Sequence, residues 1–489
     1  VLVVVSIAQL MVVLDATVVN IALPSAQASL GFDNSERQWI VTAYALAFGS
    51  LLLLGGRVGD IVGRKRTFLT ALVAFAAASA LGGASPSFAV LVFARALQGV
   101  AGAMLAPAAL GTLVTTFQDP RDRGKAFGGF GTVAVGGGAV GLILGGVLTE
   151  YLSWRWCMYV NVVFAAAAVA GALVYMTETK PPTRPRIDVG GTVLAAMGLF
   201  GLVFGFSQAE SDGWGSGVTT VSLALGVALL VAFVRVEQRV GQPLLPLRVV
   251  ADRSRGMAFA AVGIGGLAMF GLFLFLTYYL QLVKHFSPVL SGFAFLPMIG
   301  CVMISSNISN IITLPRFGPR VVITTGMTTG FVGLGYLSRI NVHSSYAAGV
   351  LPALILMGLA MGMVMAPSMN TATAGVRPQD SGVAAALVST MQQVGGSIGT
   401  AVMSTIAASV TTSYATAHTP VPGSDAVAVT HGYAAVFLGS ALVFAAGGIL
   451  AAMLFPSKAR LAAMRASVAP VAAMVSRPRG TDEISPVDA

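Results

Sequence analysis

Two ionisable residues stand where charge is least expected. Asp15 lies inside the apolar run "LMVVLDATVVNIALP", and Arg95 inside "LVFARALQGVAGAMLAP". A charged side chain at the centre of a membrane helix costs roughly 2.5–3.5 kcal/mol on insertion scales, so a carboxylate there either finds a partner or takes up a proton. Helical spacing of three, four and seven residues brings Ala8, Met11, Val12, Val18, Val19 and Ala22 beside Asp15, and none has a side chain able to hydrogen-bond. A partner must come from another helix or from water. Burial favours the neutral form of a carboxylate, so proton exchange is the chemistry this position offers; the competing reading is a hydrogen-bonding group between helices.

Arg95 shares one helical face with Gln98, Gly99 and Gly102, a narrow polar stripe on an otherwise apolar helix. Such a stripe suits a water-accessible cavity. Asp15 is the counter-ion of the right kind, against the alternative of an Arg held by backbone carbonyls. Farther along, "GLAMGMVMAPSMNTATAG" concentrates Met361, Met363, Met365 and Met369 with Asn370, and "LVSTMQQVGGSIG" adds Gln392 and Gln393. Methionines repack around varied apolar ligands, and amides supply a few hydrogen bonds. Gln98, Met361, Met365, Asn370, Gln392 and Gln393 are therefore the candidates to bind an amphipathic compound, with ordinary helix packing as the plainer reading of the methionines. Because Asp15 is the one convincing intramembrane acid, neutral or singly charged compounds fit better than dications. Glu150 is either a second acid or an interfacial residue.

Two glycine patterns accompany these residues. In "GRVGDIVGRKR", Gly59 and Gly63 permit a tight turn, Asp60 accepts hydrogen bonds, and Arg64, Lys65 and Arg66 can pair with acids on neighbouring loops such as Asp119 and Asp122. In "GGGAVGLILGG", Gly137, Gly141 and Gly145 recur every fourth residue with Gly146 adjoining, a surface on which two membrane helices pack backbone to backbone.

The elements that position these groups follow from composition. Of 489 residues, 56% are hydrophobic and 9% charged, with a mean hydropathy of +0.84; soluble domains carry roughly 25% charged residues. The chain is a polytopic, all-α membrane protein. Apolar runs of spanning length fall at about 1–25, 38–56, 67–84, 89–115, 126–149, 156–176, 189–207, 218–235, 256–283, 289–313, 321–340, 348–374, 383–410 and 432–455, fourteen in all. The first is a membrane helix rather than a cleaved leader, since it is long, carries Asp15 and lacks a basic start.

Location decides what the net charge of +10 means. Of the 28 Lys and Arg residues, 23 fall in one alternate set of loops and the tail, whereas Arg37, Arg155, Lys284 and Arg339 fall in the other. The positive-inside rule then places both termini in the cytoplasm, and nucleic acid is not indicated. The expected organisation is an N-terminal six-helix bundle over 1–176, cytoplasmic linkers with two extra helices over 177–255, a C-terminal six-helix bundle over 256–455, and a disordered tail over 456–489. An echo between "GDIVGRKRTFLTALV" and "LPRFGPRVVITTGM" supports related halves. Cys157 and Cys301 both fall inside spans, and His285, His343, His418 and His431 in or beside outward loops; there is no HExxH and no GxxxxGK[ST]. An enzyme, a metal or cofactor site and ATP-driven transport are therefore not expected, and a monomer is the favoured state.

The combination resembles the major facilitator superfamily, and within it the fourteen-helix branch of drug:proton antiporters. "LDATVVNIALP" is similar to that branch's first-helix motif, "GGRVGDIVGRKR" to the superfamily's loop between helices two and three, "RALQGVAGA" to the fourth-helix motif with its proton-relay Arg, and "GAVGLILGGVLTEYLSWRWCMYVNV" to the antiporter motif of helix five. The similarity covers about residues 9–455 and departs at Leu142, where the motif has Pro. The resemblance implies alternating access between two six-helix bundles, with protons moving inward in exchange for an exported amphipathic drug or antibiotic across the cytoplasmic membrane. It implies Asp15 as a protonation site, Arg95 as the residue that tunes or relays its proton, and Asp60 and Arg64, within the Gly59–Arg66 loop, as a latch in the outward-facing state. A transporter of one metabolite, such as an amino acid, sugar conjugate or lipid, is the alternative.

Overall fold

The computed structural model describes residues 1–33, 36–117, 119–178, 188–211, 213–240, 245–374, 376, 381–418 and 424–456. Most of the basic linker after 178 and the tail after 456 lie outside the described residues, as do the side chains of Asp60 and Asp122.

Among the described residues the chain is helical throughout. The N-terminal half holds α1 (Leu2–Leu30), α2 (Gln38–Val62), α3 (Arg64–Gly83), α4 (Phe88–Thr116), α5 (Pro120–Tyr151) and α6 (Trp156–Tyr175). The middle holds α7 (Val189–Ser211), α8 (Gly217–Glu237) and the short α9 (Leu247–Ala251). The C-terminal half holds α10 (Arg253–Tyr278), α11 (Pro288–Ile308), α12 (Leu314–Leu337), α13 (Leu351–Thr373), α14 (Ser381–Ala417) and α15 (Ser424–Leu454). Fourteen of these helices have 20 residues or more. Ten stretches among the described residues are long and apolar enough to cross a membrane, one of which, Pro288–Leu337, carries α11 and α12 together; Trp39–Leu52 and Gly190–Phe206 are apolar but shorter.

Helix ends depart from the apolar runs where backbone chemistry, not hydropathy, sets the stop. The helix α1 continues past Pro24 to Leu30 and ends on Gly31, whose left-handed backbone lets its N–H close on the Gln27 carbonyl. Between α11 and α12 the chain never uncoils: a π-helical turn over Ser309–Thr313 joins them, and the break falls at Gly318 (φ 81°, ψ 168°). Gly63 between α2 and α3 has φ 109° and ψ 142°. The two glycines occupy the same place in the sequence echo and share a backbone that side-chain-bearing residues rarely adopt.

The halves are two layers joined along two seams. Within the N-terminal half α1 packs on α5 and α6, α2 on α4, and α3 on α4 and α6. Within the C-terminal half α10 packs on α14, α13 and α15, α11 on α13, and α12 on α13 and α15. Between them α2 meets α14 and α5 meets α11, while α7, paired with α8, lies against both α2 and α14. Large apolar side chains such as Phe93, Val163, Val221 and Ile311 face outward and are exposed, the inverse of a soluble protein and what a lipid solvent favours.

The glycines of α5 make two of these contacts. Added β-carbons at Gly137, Gly141 and Gly145 would meet Leu10 and Val13, Thr17, and the backbone of Val18, all on α1. Gly146 instead turns to α11, where a β-carbon would lie 2.7 Å from the Pro288 carbonyl oxygen and the Val289 Cα. Leu142, where the resembling motif has Pro, sits fully buried in an uninterrupted 32-residue helix, with its carbonyl against Gly292. Its N–H is free to stay in the helix ladder, which Pro could not do. Gly146→Val should therefore lower the yield of folded monomer in detergent, at a cost of about 1–3 kcal/mol, while Gly138→Ala, where a β-carbon meets nothing within 4 Å, should leave it unchanged. Size-exclusion profiles of a fluorescent fusion check both, and an unaffected Gly146→Val would rule out the close seam.

Candidate functional site

The site is built outward from Asp15, which is wholly buried midway along α1. Its Oδ2 accepts a hydrogen bond from Arg95 Nη1 at 2.5 Å. Its Oδ1 accepts two more, from Gln98 Nε2 at 2.9 Å and from Asn161 Nδ2 at 2.7 Å. Since α1 offers the carboxylate no side-chain donor on its own face, these three come from α4 and α6, drawn in by the packing of those helices on α1.

Arg95, itself only 2% exposed, is held from several sides. Its Nη1 donates also to Gln98 Oε1 at 2.8 Å, its Nε to the Ile40 carbonyl of α2 at 3.1 Å, and its guanidinium lies 4.4 Å from the centre of the Tyr44 ring. Gln98 Nε2 further donates to Ser79 Oγ of α3 at 2.7 Å. A planar guanidinium suits such a cage because its five N–H groups are fixed in direction and its face stacks on aromatic rings. Close approach is secured by Gly99 and Gly102: a β-carbon at the first would meet the Tyr44 carbonyl and Ala47 of α2, and at the second the Phe48 ring. Thus α1, α2, α4 and α6 each give at least one group to a single buried ion pair, and α3 supports it through Ser79 on Gln98.

The structure brings Asp15, Arg95 and Gln98 together and sends the other expected residues elsewhere. Gln98, expected to line a binding surface, is fully buried between Asp15 and Ser79. Met361 is buried in the C-terminal core, and Met365 reaches Gly265 of α10. Asn370 is exposed, its Nδ2 donating to Asn310 Oδ1 at 2.9 Å. Gln392 and Gln393 are half-buried on α14, where Gln392 backs onto Gly266 of α10 and Gln393 approaches Gly49 of α2. Asn161, Ser79 and Tyr44 are the cluster members that sequence reasoning missed. Asn161 alone left a trace, as the single amide side chain in the α6 segment "WCMYVNVVFAAAAVAGALVY".

The basic loop after α2 makes several bonds to its own half. Arg64 Nη1 donates to the Gly111 carbonyl of α4 at 2.5 Å, Lys65 Nζ to the Met176 carbonyl at 2.6 Å, and Arg66 pairs with Glu178 at 3.9 Å. Glu178 also packs where Gly63 would carry a β-carbon, a second reason for glycine there. Gly59 is buried with nothing within 4 Å of an added β-carbon.

At the opposite end of the bundle the halves are bonded to each other. Tyr278 Oη of α10 donates to Gln27 Oε1 of α1 at 2.7 Å, Gln281 Nε2 donates to the Ile21 carbonyl at 3.1 Å, and the Val289 N–H of α11 donates to Glu150 Oε2 of α5 at 3.0 Å. The Arg37 guanidinium lies 4.2 Å from the Tyr278 ring centre and 5.4 Å from that of Phe275. Glu150 thus serves as an acceptor between halves at that end.

A helical, outwardly apolar molecule of two joined halves with a solvent-shielded Asp–Arg pair inside it is a multi-pass membrane transporter. Comparison with known proteins gives the family: the model of the Major Facilitator Superfamily matches residues 5–400, and the chain belongs to that superfamily. It is 48% identical over 451 residues to the puromycin resistance protein pur8 of Streptomyces alboniger, covering 92% of this chain and 88% of that protein. It is 37% identical over 488 residues to the cephamycin export protein CmcT of Amycolatopsis lactamdurans, covering 98% and 94%. Among solved structures, the POT family transporter PepTSo superposes with a TM-score of 0.67 at 13% identity, covering 93% of this chain and 98% of that one, which shows a shared fold.

Removing one member of a buried ion pair leaves the other uncompensated, typically at about 3–5 kcal/mol, whereas removing both is far milder. Arg95→Leu should therefore lower the thermal unfolding midpoint sharply, and the double variant Asp15→Asn/Arg95→Leu should recover most of it. Equal losses in the single and double variants would show that the pair is not what stabilises this region.

Proposed function

We propose that the chain is a proton-coupled antiporter that exports amphipathic, antibiotic-like compounds across the cytoplasmic membrane by alternating access of two six-helix bundles. The observation that carries the reading is the Asp15–Arg95 pair with its amide donors, sealed in the N-terminal half. Over residues 256–456 the only acids are Asp380 and Asp425, and Asp425 lies in the first turn of α15. The division of labour that follows puts the proton on Asp15 and leaves the substrate to the C-terminal half, where Met365 and Gln392 pack on α10 and Gln393 faces α2 across the seam. The relatives support export of such compounds, since one is named for puromycin resistance and another for cephamycin export.

In this reading all fourteen long helices cross the membrane, both termini are cytoplasmic, and α7 and α8 are the extra pair. The contacts joining Gln27 and Arg37 to Tyr278 then form a closed outer gate. The Gly59–Arg66 loop, whose bonds here include ones to Gly111, Met176 and Glu178 of its own half, would act as a latch in the outward-facing state, with Asp60 and Arg64 as its polar members. A second reading has specific support: several relatives are named for one compound each, cephamycin, tetracenomycin C and actinorhodin among them, which fits an exporter of a single natural product. Competition among unrelated amphiphiles separates the two.

In inverted membrane vesicles, adding a transported drug should dissipate a preformed pH gradient in the parent and not in an equally abundant Asp15→Asn variant. Equal dissipation by both would remove Asp15 from the proton path. Tyr278→Leu deletes both the Gln27 hydrogen bond and the ring beneath Arg37, together worth about 1–2 kcal/mol. It should raise labelling of a Leu23→Cys probe by an impermeant outside maleimide roughly tenfold, and unchanged labelling would mean these contacts are not the gate.

A further inference from the structure

Asn161 is the amide of the cluster with an end to spare, the Tyr44 hydroxyl being the cluster's other buried polar group without a partner among the described residues. Its Nδ2 donates to Asp15 Oδ1 at 2.7 Å, while its Oδ1 is buried and has no hydrogen-bond partner among the described residues. A buried amide oxygen left unbonded is costly, so its presence beside an acid calls for a second state in which it is used. Gln98, the other amide on the carboxylate, has no such freedom. Its Nε2 serves both Asp15 and Ser79, and its Oε1 receives Arg95; turning it would aim oxygen at carboxylate and N–H at guanidinium.

We propose that Asn161 is a proton-responsive positioning residue whose side-chain amide turns over when Asp15 is protonated. This rests on Asp15 being the proton site. With Asp15 charged, Nδ2 faces Oδ1 and donates. When a proton arrives on Oδ1, the carboxyl acquires a donor, and Nδ2 facing it becomes a donor opposed to a donor. Rotation about Cβ–Cγ exchanges the amide ends, so that Asp15 Oδ1–H donates to Asn161 Oδ1. Loss of the proton reverses the turn. No bond other than O–H is made or broken, and the hitherto unused oxygen is satisfied in the protonated state.

The surroundings isolate this response. The ionisable groups facing Asp15 are Arg95 from α4 and Tyr44 from α2; α3 contributes Ser79 through Gln98, α6 contributes Asn161, and α5 meets this stretch of α1 through Gly137, Gly141 and Gly145. Arg95 stays charged throughout. Asn161 is also the only one of the carboxylate's three donors that comes from α6, so its turn changes the α1–α6 link while the α1–α4 links persist.

The test compares the parent, Asn161→Leu and Asn161→Thr in reconstituted vesicles, measuring drug-driven proton flux against pH. Leu has a similar γ-branched shape and no hydrogen-bonding group; the Thr hydroxyl both donates and accepts. A bond to the charged carboxylate outweighs one to the neutral acid, so Asn161→Leu should move the midpoint of the pH profile upward by about one unit and lower kcat about tenfold with little change in KM, and Asn161→Thr should restore most of both. Infrared difference spectra of the parent between high and low pH provide a second readout that needs neither drug nor the Leu variant: an asparagine amide C=O band should shift together with the carboxyl band, and both changes should vanish in Asp15→Asn. A parent-like midpoint in Asn161→Leu, or an amide band that stays still while the carboxyl band changes, overturns the proposal for Asn161 alone. A parent that moves no protons on drug addition overturns instead the antiport reading.

Discussion

A charge withdrawn from water must be given a replacement hydration shell by the protein, and the architecture of the N-terminal half follows from that demand. Asp15 receives three donors and Arg95 receives a carboxylate, an amide oxygen, a backbone carbonyl and a ring face. Five helices contribute, and the sixth, α5, contributes by having no side chain at Gly137, Gly141 and Gly145, which lets α1 sit where the others can reach it. The low dielectric that makes each charge costly alone is also what makes their mutual attraction strong. The cluster thus constrains how the six helices of this half pack.

The C-terminal half is built without this constraint and shows the difference. Its interior is aromatic and aliphatic, with Phe275, Phe295, Phe437 and Phe444 fully buried, and among the described residues the polar side chains buried within it are hydroxyls such as Thr277, Ser291 and Ser368. Shape, not charge, sets its packing, through contacts such as Gly265 with Met365, Gly330 with Phe444 and Gly358 with the Met298 backbone. Gly63 and Gly318 give the two halves a similar backbone turn, whereas among the described residues the buried Asp–Arg pair lies in the N-terminal half.

The parts of this organisation legible in the sequence are those where a residue violates the rule of its surroundings. Asp15 and Arg95 stand out because ionisable groups are rare in apolar runs, and the four-residue recurrence of glycine in α5 because small residues at that period have one packing use. The ten stretches of spanning length among the described residues were readable because hydropathy signals them; their ends were not, since Gly31 and the Ser309–Thr313 π turn are backbone events. Asn161, Ser79 and Tyr44 were hidden for a different reason. Uncharged polar residues are ordinary in such helices, and what distinguishes these is contact across 146 positions for Asn161 with Asp15 and 19 for Ser79 with Gln98. Gln98 could be seen to be polar, but its availability to a ligand could not be judged from spacing: only the geometry shows that both ends of its amide are already occupied within the cluster.

One helix connects the buried pair to the joined end of the two halves. From Asp15 to Ile21 is six residues of α1, about 9 Å, and to Gln27 twelve, about 18 Å; Ile21 receives Gln281 and Gln27 receives Tyr278. Any tilt of α1 that follows a change in its bonds to α4 and α6 is therefore carried to the contacts that hold α10. The surface on which α1 would move is the glycine face of α5, where backbone meets side chain with few knobs to unlock, and α5 itself is seated on α11 through Gly146 and Gly292. Coupling needs contiguous elements with two arrangements. Here the contiguity runs from carboxylate to α1, from α1 to both α10 and α5, and from α5 to α11, so the buried acid of the N-terminal half has a physical route to each of the two helices of the other half that meet it at that end.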